Sequence, residues 1–203
     1  MHKMIKVIGG KFMMGASDDD AEAYPNERPQ REVEVKDFEL ESHPVTNLLW
    51  WEVMGGERPS AEEENFPKVN VSFYDCARFM NARSLKDSLQ PVYTIKVTET
   101  AETSETDEDT ERTEYTEVAE VTEDLSANGY RFPSEEEWEY AARAGTTGSR
   151  YGDVDDIAVY STKNICDVGT KKPNAWGFFD MLGLVWEWTG SLYEPYSNKV
   201  AKK

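Results

Sequence analysis

Histidine and cysteine, on which many metal and nucleophilic sites depend, are nearly absent from this chain. The only histidines are His2 and His43, and the only cysteines are Cys76 and Cys166, far apart in sequence. Two cysteines do not establish a disulfide. We expect Cys76, on an apolar helical face, to be a small buried hydrophobic residue and Cys166 to be a free thiol in a polar loop. No nucleophile elbow, phosphate-binding loop or zinc-ligand spacing is present.

Basic charge and long apolar runs are also scarce. The chain has 22 Lys and Arg against 40 Asp and Glu, for a formal net charge of -18. Phosphate contacts need clustered basic residues, so we expect no nucleic acid partner and no anionic membrane partner. No apolar stretch approaches the ~20 residues that span a bilayer, and no apolar signal-peptide region follows the N-terminus. We expect a cytoplasmic protein with a single domain over residues 1–203.

Aromatic residues and helix-capping signals are what the sequence does contain. Six Trp, ten Tyr and eight Phe can build a core, and a core of this kind favours an irregular fold over a regular bundle. Thr46 predicts the start of a helix that ends near Met54. Ser72 predicts a second helix, which runs to about Ser84.

Residues 129–145 form the most informative segment. Pro133 disfavours helix at the preceding residue. Ser134 can cap a third helix, and Glu137 completes a capping box. Gly145 is expected to end this helix. At helical spacing, one apolar stripe is formed by Trp138, Ala141 and Ala142.

Three segments have the pattern of β-strands. Residues 6–14 predict a strand and a turn around Gly9 and Gly10. Residues 32–40 alternate polar and apolar side chains, which predicts one strand. Residues 91–95 predict another short strand.

Residues 97–126 form an acidic, Thr/Glu-rich insertion. Within residues 97–124, Glu recurs at every third position. This segment contains twelve acidic residues and a single basic one, Arg112. A period of three matches neither a strand nor an α-helix. We therefore expect a solvated, mobile, low-complexity segment. An extended β-hairpin, favoured by the many threonines, and an arm that binds basic partners stay open as alternatives.

Four motifs, in order, resemble the formylglycine-generating, sulfatase-modifying family. The chain has GGKFMMG at residues 9–15, PVTN at 44–47, GYRFPSEEEWEYAARAG at 129–145 and VGTKKPNAWGFFDMLGLVWEWT at 168–189. The resemblance covers about residues 4–193. It implies an α+β fold that is irregular and C-type-lectin-like, with about three helices, short antiparallel strands and much loop.

The resemblance also implies a structural calcium site. It would be formed by the side chains of Asp180 and Glu187 and by the backbone carbonyls of Gly183 and Val185. Calcium takes six to eight oxygen ligands of these two kinds. From spacing alone, the two carboxylates could equally be ordinary surface acids. The family usually has Asn where this chain has Leu184, a position that shapes the turn.

The family's oxidase activity is not expected here. It uses copper bound by two cysteines a few residues apart, in a segment beyond the position of Trp188. Neither Cys76 nor Cys166 matches those positions, so we predict no catalytic residues and no copper, because Cu(I) favours thiolates. Iron, which some relatives bind through histidines of an added helical domain, is also not expected.

The resulting expectation is a non-catalytic binding or scaffold protein with a protein or peptide ligand. The candidate ligand surface consists of five aromatic residues: Trp176, Phe178, Phe179, Tyr193 and Tyr196. For the first three of these, packing in the core is the alternative. The alternative is a truncated or split formylglycine-generating oxidase that needs the missing C-terminal segment. A partner chain could then complete the sheet by strand addition. A degenerate duplicate that acts as a scaffold or regulator is a third hypothesis.

Overall fold

The computed structural model describes residues 2–107, 110–161, 164–193 and 196, and for residues 98–119 it describes the backbone alone. Its helices are α1 Asn47–Met54, α2 Phe73–Lys86, α3 Glu135–Arg143 and the short α4 Val154–Ile157. Its strands are β1 Met4–Val7, β2 Gly10–Met14, β3 Arg31–Val35, β4 Phe38–Glu41, β5 Tyr93–Asp107 and β6 Thr110–Glu123. The predicted α+β fold with short antiparallel strands is confirmed, and the one-turn α4 is an addition to the three expected helices.

The chain divides into two compact units. The first consists of Met1–Val69 and Phe132–Lys203, and the second of Asn70–Arg131. A single domain over residues 1–203 stays a prediction. Within the described ranges, no helix combines the length and the apolar composition needed to cross a bilayer.

The first unit begins with a two-stranded antiparallel ribbon that is interrupted once. Strand β1 pairs with β4, and β2 pairs with β3. Val7 lies opposite Phe38, and Gly10 lies opposite Val35. The register therefore continues across the interruption without a slip.

This interruption corrects the prediction of one strand over residues 32–40, because Lys36 and Asp37 separate β3 from β4. The backbone N–H of Gly9 donates to the Asp37 carboxylate at 2.8 Å, which holds the two bends together. A Cβ atom at Gly9 would lie 2.3 Å from the carbonyl oxygen of Val35. Glycine is therefore required where the two backbones approach.

The three predicted helix starts are confirmed. Thr46 Oγ1 accepts from the backbone N–H of Leu49 at 3.3 Å, and Ser72 caps α2. Helix α2 continues two residues past the predicted end near Ser84. At α3, the predicted capping box is present: Ser134 Oγ accepts from the Glu137 N–H at 3.2 Å, and the Glu137 carboxylate accepts from the Ser134 N–H at 2.9 Å.

Helix α3 ends one residue before the predicted stop at Gly145. Ala144 already has a left-handed conformation, with φ of 45°. The last four carbonyls of a helix lack partners within it. Those of Tyr140 and Arg143 accept from the N–H groups of Ala144 and Thr146, at 3.1 and 2.9 Å.

The remaining two carbonyls are satisfied by one buried side chain, Asn174. Its Nδ2 donates to the carbonyls of Ala141 and Ala142 at 2.8 and 3.2 Å. Its Oδ1 accepts from the N–H groups of Trp176 and Phe178 at 3.0 and 3.1 Å. Asn174 therefore links the C-terminal end of α3 to its own turn, residues 174–178.

The core of the first unit lies between the ribbon and α3. Its buried residues are Val7, Val35, Phe38, Ala141, Ala142, Phe178 and Met181. Trp138 and Trp176 pack against this cluster, which confirms the predicted stripe on α3. Phe178 is fully buried and Trp176 is half-buried, so these two residues belong to the core and do not form a ligand surface.

In the second unit, the acidic insertion forms the extended hairpin rather than an unstructured segment. Strands β5 and β6 pair from Tyr93 opposite Glu123 to Asp107 opposite Thr110, with one register shift between Val97 and Glu99. Asn81 on α2 holds the base of the hairpin, since its side chain bonds both the N–H and the carbonyl of Tyr93. Antiparallel pairing gives the backbone groups of alternate residues a partner on the other strand, and threonine favours strands.

Candidate functional site

The turn that contains the predicted calcium ligands has an unusual backbone. Asp180, Gly183 and Leu184 have φ values of 58°, 81° and 57°. A Cβ atom at Gly183 would lie 2.2 Å from the carbonyl oxygen of Val159, and the Leu184 N–H donates to that same oxygen at 2.8 Å. Asparagine tolerates a left-handed backbone better than leucine does.

The two carboxylates of this turn interact electrostatically. Asp180 is buried, its carboxylate accepts from the Gly169 N–H at 2.6 Å, and desolvation raises its pKa. Glu187 Oε2 accepts from Trp138 Nε1 at 3.2 Å. Desolvation, and to a lesser extent the charge of Asp180, raises the pKa of Glu187 to about 7. Glu187 as a whole residue is exposed, and the hydrogen bond from the Trp138 indole opposes this rise in its pKa.

This arrangement fits a divalent cation in part. Two desolvated carboxylates that repel each other would both be stabilised by a bound positive ion. Among the described residues, no group of three or more His, Cys, Asp and Glu side chains is placed to hold a metal ion. A cation here would therefore depend on Asp180 and Glu187 and on backbone carbonyls such as those of Gly183 and Val185.

The two thiols are separated. Both are free, Cys76 in the second unit and Cys166 in the first. Cys76 is half-buried rather than fully buried as predicted, and desolvation raises its thiol pKa to about 11. A thiol with a raised pKa is a poor nucleophile and a poor metal ligand at neutral pH.

A cavity of about 630 Å³ opens in the first unit between residues 15–30, helix α3 and residues 146–151. We call it the acidic cavity. Its walls are held together by Arg143, which donates to Glu139 Oε1 at 2.8 Å and to the carbonyls of Gly15 and Gly148 at 2.9 and 3.0 Å. The Glu139 carboxylate also accepts from the Gly15 N–H at 2.8 Å. Sequence reasoning did not predict this cavity.

Negative charge dominates the lining of the acidic cavity. Two carboxylates are paired: Glu139 lies 2.7 Å from Arg143, and Glu22 lies 2.6 Å from Arg150. The remaining lining carboxylates form no ion pair within the part of the chain that the structure describes: Asp19, Asp20, Glu27 and Glu135. The lining therefore carries six acidic side chains against two basic ones.

Tyr196 lies between two of these carboxylates. Its hydroxyl is 3.1 Å from Glu135 Oε1 and 3.2 Å from Glu139 Oε2. Desolvation and the two charges raise its pKa far above the usual value, so the hydroxyl keeps its proton. One proton serves one acceptor at a time. Glu135, whose own pKa is raised mainly by desolvation, is thus incompletely satisfied.

Next to the cavity, residues 186–193 expose large apolar side chains, and we call them the aromatic stretch. The exposed fractions are 102% for Trp186, 52% for Trp188, 87% for Leu192 and 77% for Tyr193. Tyr193 was a predicted surface candidate, whereas the two tryptophans were missed. Ser191 Oγ accepts from the backbone N–H of Glu135 at 3.0 Å, so the stretch runs along the first turn of α3.

Comparison with known proteins gives a consistent picture. A family model described as the sulfatase-modifying factor enzyme 1-like domain matches residues 1–203. Chaperone protein LppX of Paenibacillus barcinonensis is 31% identical over 91% of this chain and 70% of that protein. Inactive C-alpha-formylglycine-generating enzyme 2 of Mus musculus is 30% identical over 95% of this chain and 70% of that protein. Formylglycine-generating enzyme of Mycobacterium tuberculosis is 28% identical over 96% of this chain and 75% of that protein.

Solved structures agree with the fold. Treponema denticola variable protein 1 superposes with a TM-score of 0.76 at 24% identity, covering 96% of this chain and 74% of that one. PvdO from Pseudomonas aeruginosa superposes with a TM-score of 0.68 at 22% identity, covering 95% of this chain and 72% of that one. At these identities, the likeness shows a shared fold alone.

Proposed function

The chain belongs to the sulfatase-modifying factor enzyme 1-like family, and on that premise we propose that it is a non-catalytic domain that binds a polypeptide ligand. The observation that carries the proposal is the aromatic stretch. Trp186, Leu192 and Tyr193 each expose more than three quarters of their surface. Contiguous exposed apolar side chains mark interaction sites, and Trp and Tyr are enriched among residues that dominate binding energy.

The cysteines support the non-catalytic part of the proposal. The sequence has no two cysteines a few residues apart, and the Cys76 thiol is protonated at neutral pH. Copper-dependent oxidation by the family's route needs a pair of thiolates. The mouse relative named as an inactive formylglycine-generating enzyme supports the view that this fold can be kept without the oxidase activity.

A second candidate is the formylglycine-generating oxidase, favoured by the 28% identity to the Mycobacterium tuberculosis enzyme. Under this candidate, the cysteine pair comes from outside the 203 residues, for example from a partner chain that adds strands to an open edge. Oxidation of a sulfatase cysteine would then require both parts.

Copper loading followed by a formylglycine assay separates the two candidates. The chain is incubated with Cu(I) and a Cys-containing sulfatase peptide, and the peptide is analysed by mass spectrometry. We expect no formylglycine. Turnover by this chain alone would overturn the non-catalytic proposal.

Selection from a random-peptide display library tests the binding function. We expect the native chain to enrich peptides that do not bind a Trp186→Ser/Trp188→Ser double variant. Leu85→Ser is the matched control, because Leu85 is an exposed apolar residue of the second unit. Enriched peptides that bind the double variant equally well would contradict the role of the aromatic stretch.

We also propose a structural Ca²⁺ ion bound by the carboxylates of Asp180 and Glu187 and the carbonyls of Gly183 and Val185. Its support is the raised pKa of both carboxylates. A ligand that binds only the native state raises the melting temperature. We expect Ca²⁺ to raise it in the native chain but not in Glu187→Gln, with Glu57→Gln as the exposed control. No shift in the native chain would remove the site.

For location, we propose the cytoplasm. The two free thiols support this compartment, because oxidising compartments favour disulfides. Cysteine labelling in intact cells, with and without permeabilisation, tests it.

A further inference from the structure

We propose that the acidic cavity and the aromatic stretch form one docking surface for a polypeptide segment in which a Lys or Arg side chain lies beside an apolar or aromatic one. The basic side chain would enter the cavity, and its apolar neighbour would cover Trp186 and Trp188. This inference rests on the proposed binding function and adds the chemical class of the ligand.

The two surfaces share the first turn of α3. Trp138 lines the cavity, and its indole N–H donates to Glu187 in the aromatic stretch at 3.2 Å. Glu135 also lines the cavity, and its backbone N–H donates to Ser191 at 3.0 Å. A short extended peptide can therefore contact both surfaces at once, since neighbouring residues of an extended chain are only ~3.3 Å apart along its axis.

The cavity is lined by more acidic than basic side chains, and a cationic side chain would balance part of this negative charge. Glu135 and Glu139 share the single hydroxyl proton of Tyr196. Glu139 is already bonded by Arg143 and by the Gly15 N–H. Glu135 has the Tyr196 hydroxyl as its side-chain partner, and the charge of Arg31 also acts on it. An ammonium group brings three N–H donors and a guanidinium group brings five. Hydrogen bonds between ionised partners are the strong ones.

The same observations disfavour other occupants. A second copy of a chain with a net charge of -18 would be repelled at an acidic surface. A small inorganic cation would leave Trp186 and Leu192 exposed. A basic segment with an apolar neighbour matches both the charge and the exposed apolar surface.

One ion pair of the cavity competes with the proposed ligand. Glu22 and Arg150 join the two walls at 2.6 Å, and their side chains are 65% and 43% exposed. An exposed pair of this kind contributes little to stability. Removing Arg150 would therefore leave the fold intact and free a carboxylate for the ligand.

The test uses four acetylated and amidated peptides of equal length in a Gly/Ser background, which contain Trp-Arg, Trp-Lys, Trp-Gln or Ser-Arg. Binding to the native chain is measured by isothermal titration calorimetry at two salt concentrations. We expect Trp-Arg and Trp-Lys to bind about five- to tenfold more tightly than Trp-Gln, and more weakly at high salt. Ser-Arg should bind more weakly than Trp-Arg.

Variants identify the surface. Glu135→Gln should reduce Trp-Arg affinity several-fold without changing Trp-Gln affinity, and Trp186→Ser should reduce both. Arg150→Ala should increase Trp-Arg affinity, and Glu57→Gln, at an exposed site outside the cavity, should change nothing.

The inference and the proposed function can fail separately. Equal affinity for Trp-Arg and Trp-Gln, or no effect of Glu135→Gln, would overturn the cation site and leave polypeptide binding intact. Failure of all four peptides would overturn the inference, while the library selection would still decide the proposed function. Self-association abolished by Trp186→Ser would assign the aromatic stretch to a second copy and overturn the inference.

Discussion

Replacing Asn174 by alanine is expected to be among the most destabilising single substitutions in the first unit. The side chain is 6% exposed and forms four hydrogen bonds to backbone groups, two at the end of α3 and two in the following turn. Truncation removes all four and leaves buried backbone groups without partners.

The size of the effect follows from these bonds. Each intramolecular hydrogen bond contributes about 1 kcal/mol net, and an unsatisfied buried group costs about 1 to 3 kcal/mol. Four bonds give about 4 kcal/mol. A water molecule in the space left by the amide would recover part of this, so we expect Asn174→Ala to lower the free energy of unfolding by about 3 kcal/mol.

Urea denaturation, followed by tryptophan fluorescence, measures the change, and Asn174→Asp is the matched comparison. The introduced carboxylate keeps the two acceptor functions but places negative charge against the Ala141 and Ala142 carbonyls, at the negative end of the helix dipole. Its folded-state pKa should be raised above the unfolded value of ~3.9. The stability loss should therefore grow as pH rises through the folded pKa, and it should be smaller in acid.

A loss below about 1 kcal/mol for Asn174→Ala, or a loss for Asn174→Asp that does not depend on pH, would refute this account. The first result would mean that water replaces the amide fully. The second would mean that the carboxylate turns away from the helix end.

Three further predictions concern the turn at residues 180–187. Leu184→Asn should raise the free energy of unfolding by about 1 kcal/mol, because Leu184 has φ of 57° and asparagine tolerates this region better; an unchanged urea midpoint would contradict it. Gly183→Ala should destabilise strongly, since its Cβ would lie 2.2 Å from the Val159 carbonyl oxygen, whereas a normal melting temperature would show that the turn can open. In EDTA, the free energy of unfolding should fall as pH rises from about 4.5 to about 7. The pKa of Glu187 is raised from its ordinary value of 4.5 to about 7 in the folded chain, so Glu187 keeps its proton in the native state while the unfolded chain releases it. Glu187→Gln should remove this part of the pH dependence, and identical pH profiles for the two proteins would disprove the raised pKa.

The helix starts could be predicted from sequence because their causes are local. Thr46, Ser72 and Ser134 cap helices through hydrogen bonds to groups three residues away. The interruption between β3 and β4 was missed, although the apolar positions change from 33 and 35 to 38 and 40, so the alternation shifts by one residue at Lys36 and Asp37. The partner that holds this break, Gly9, lies 28 residues away from Asp37 along the chain. Only the structure shows that the backbone at Gly9 approaches the Val35 carbonyl oxygen so closely that a glycine is needed there.

The candidate site was predicted only in part, because some of its residues belong to one local motif and others come from distant parts of the chain. Asp180 and Glu187 were identified through a motif, and in the structure the charge of Asp180 contributes to the raised pKa of Glu187. The acidic cavity was not predicted, because its carboxylates come from residues 15–30 and from α3, more than 100 positions apart in sequence. The exposure of Trp186 was missed as well. Composition predicts that tryptophan is buried on average, and only packing decides which one is not.

The long hairpin has a consequence for how this protein can change during evolution. Within the described residues, β5 and β6 form a sheet of their own, and Glu recurs at every third position along the segment that forms them. Adding six residues at the tip would extend the ladder by three residue pairs, or ~10 Å at ~3.4 Å per residue, without altering any core residue of the first unit. The length of the hairpin can therefore change by insertion or deletion at its tip while the core of the first unit stays the same.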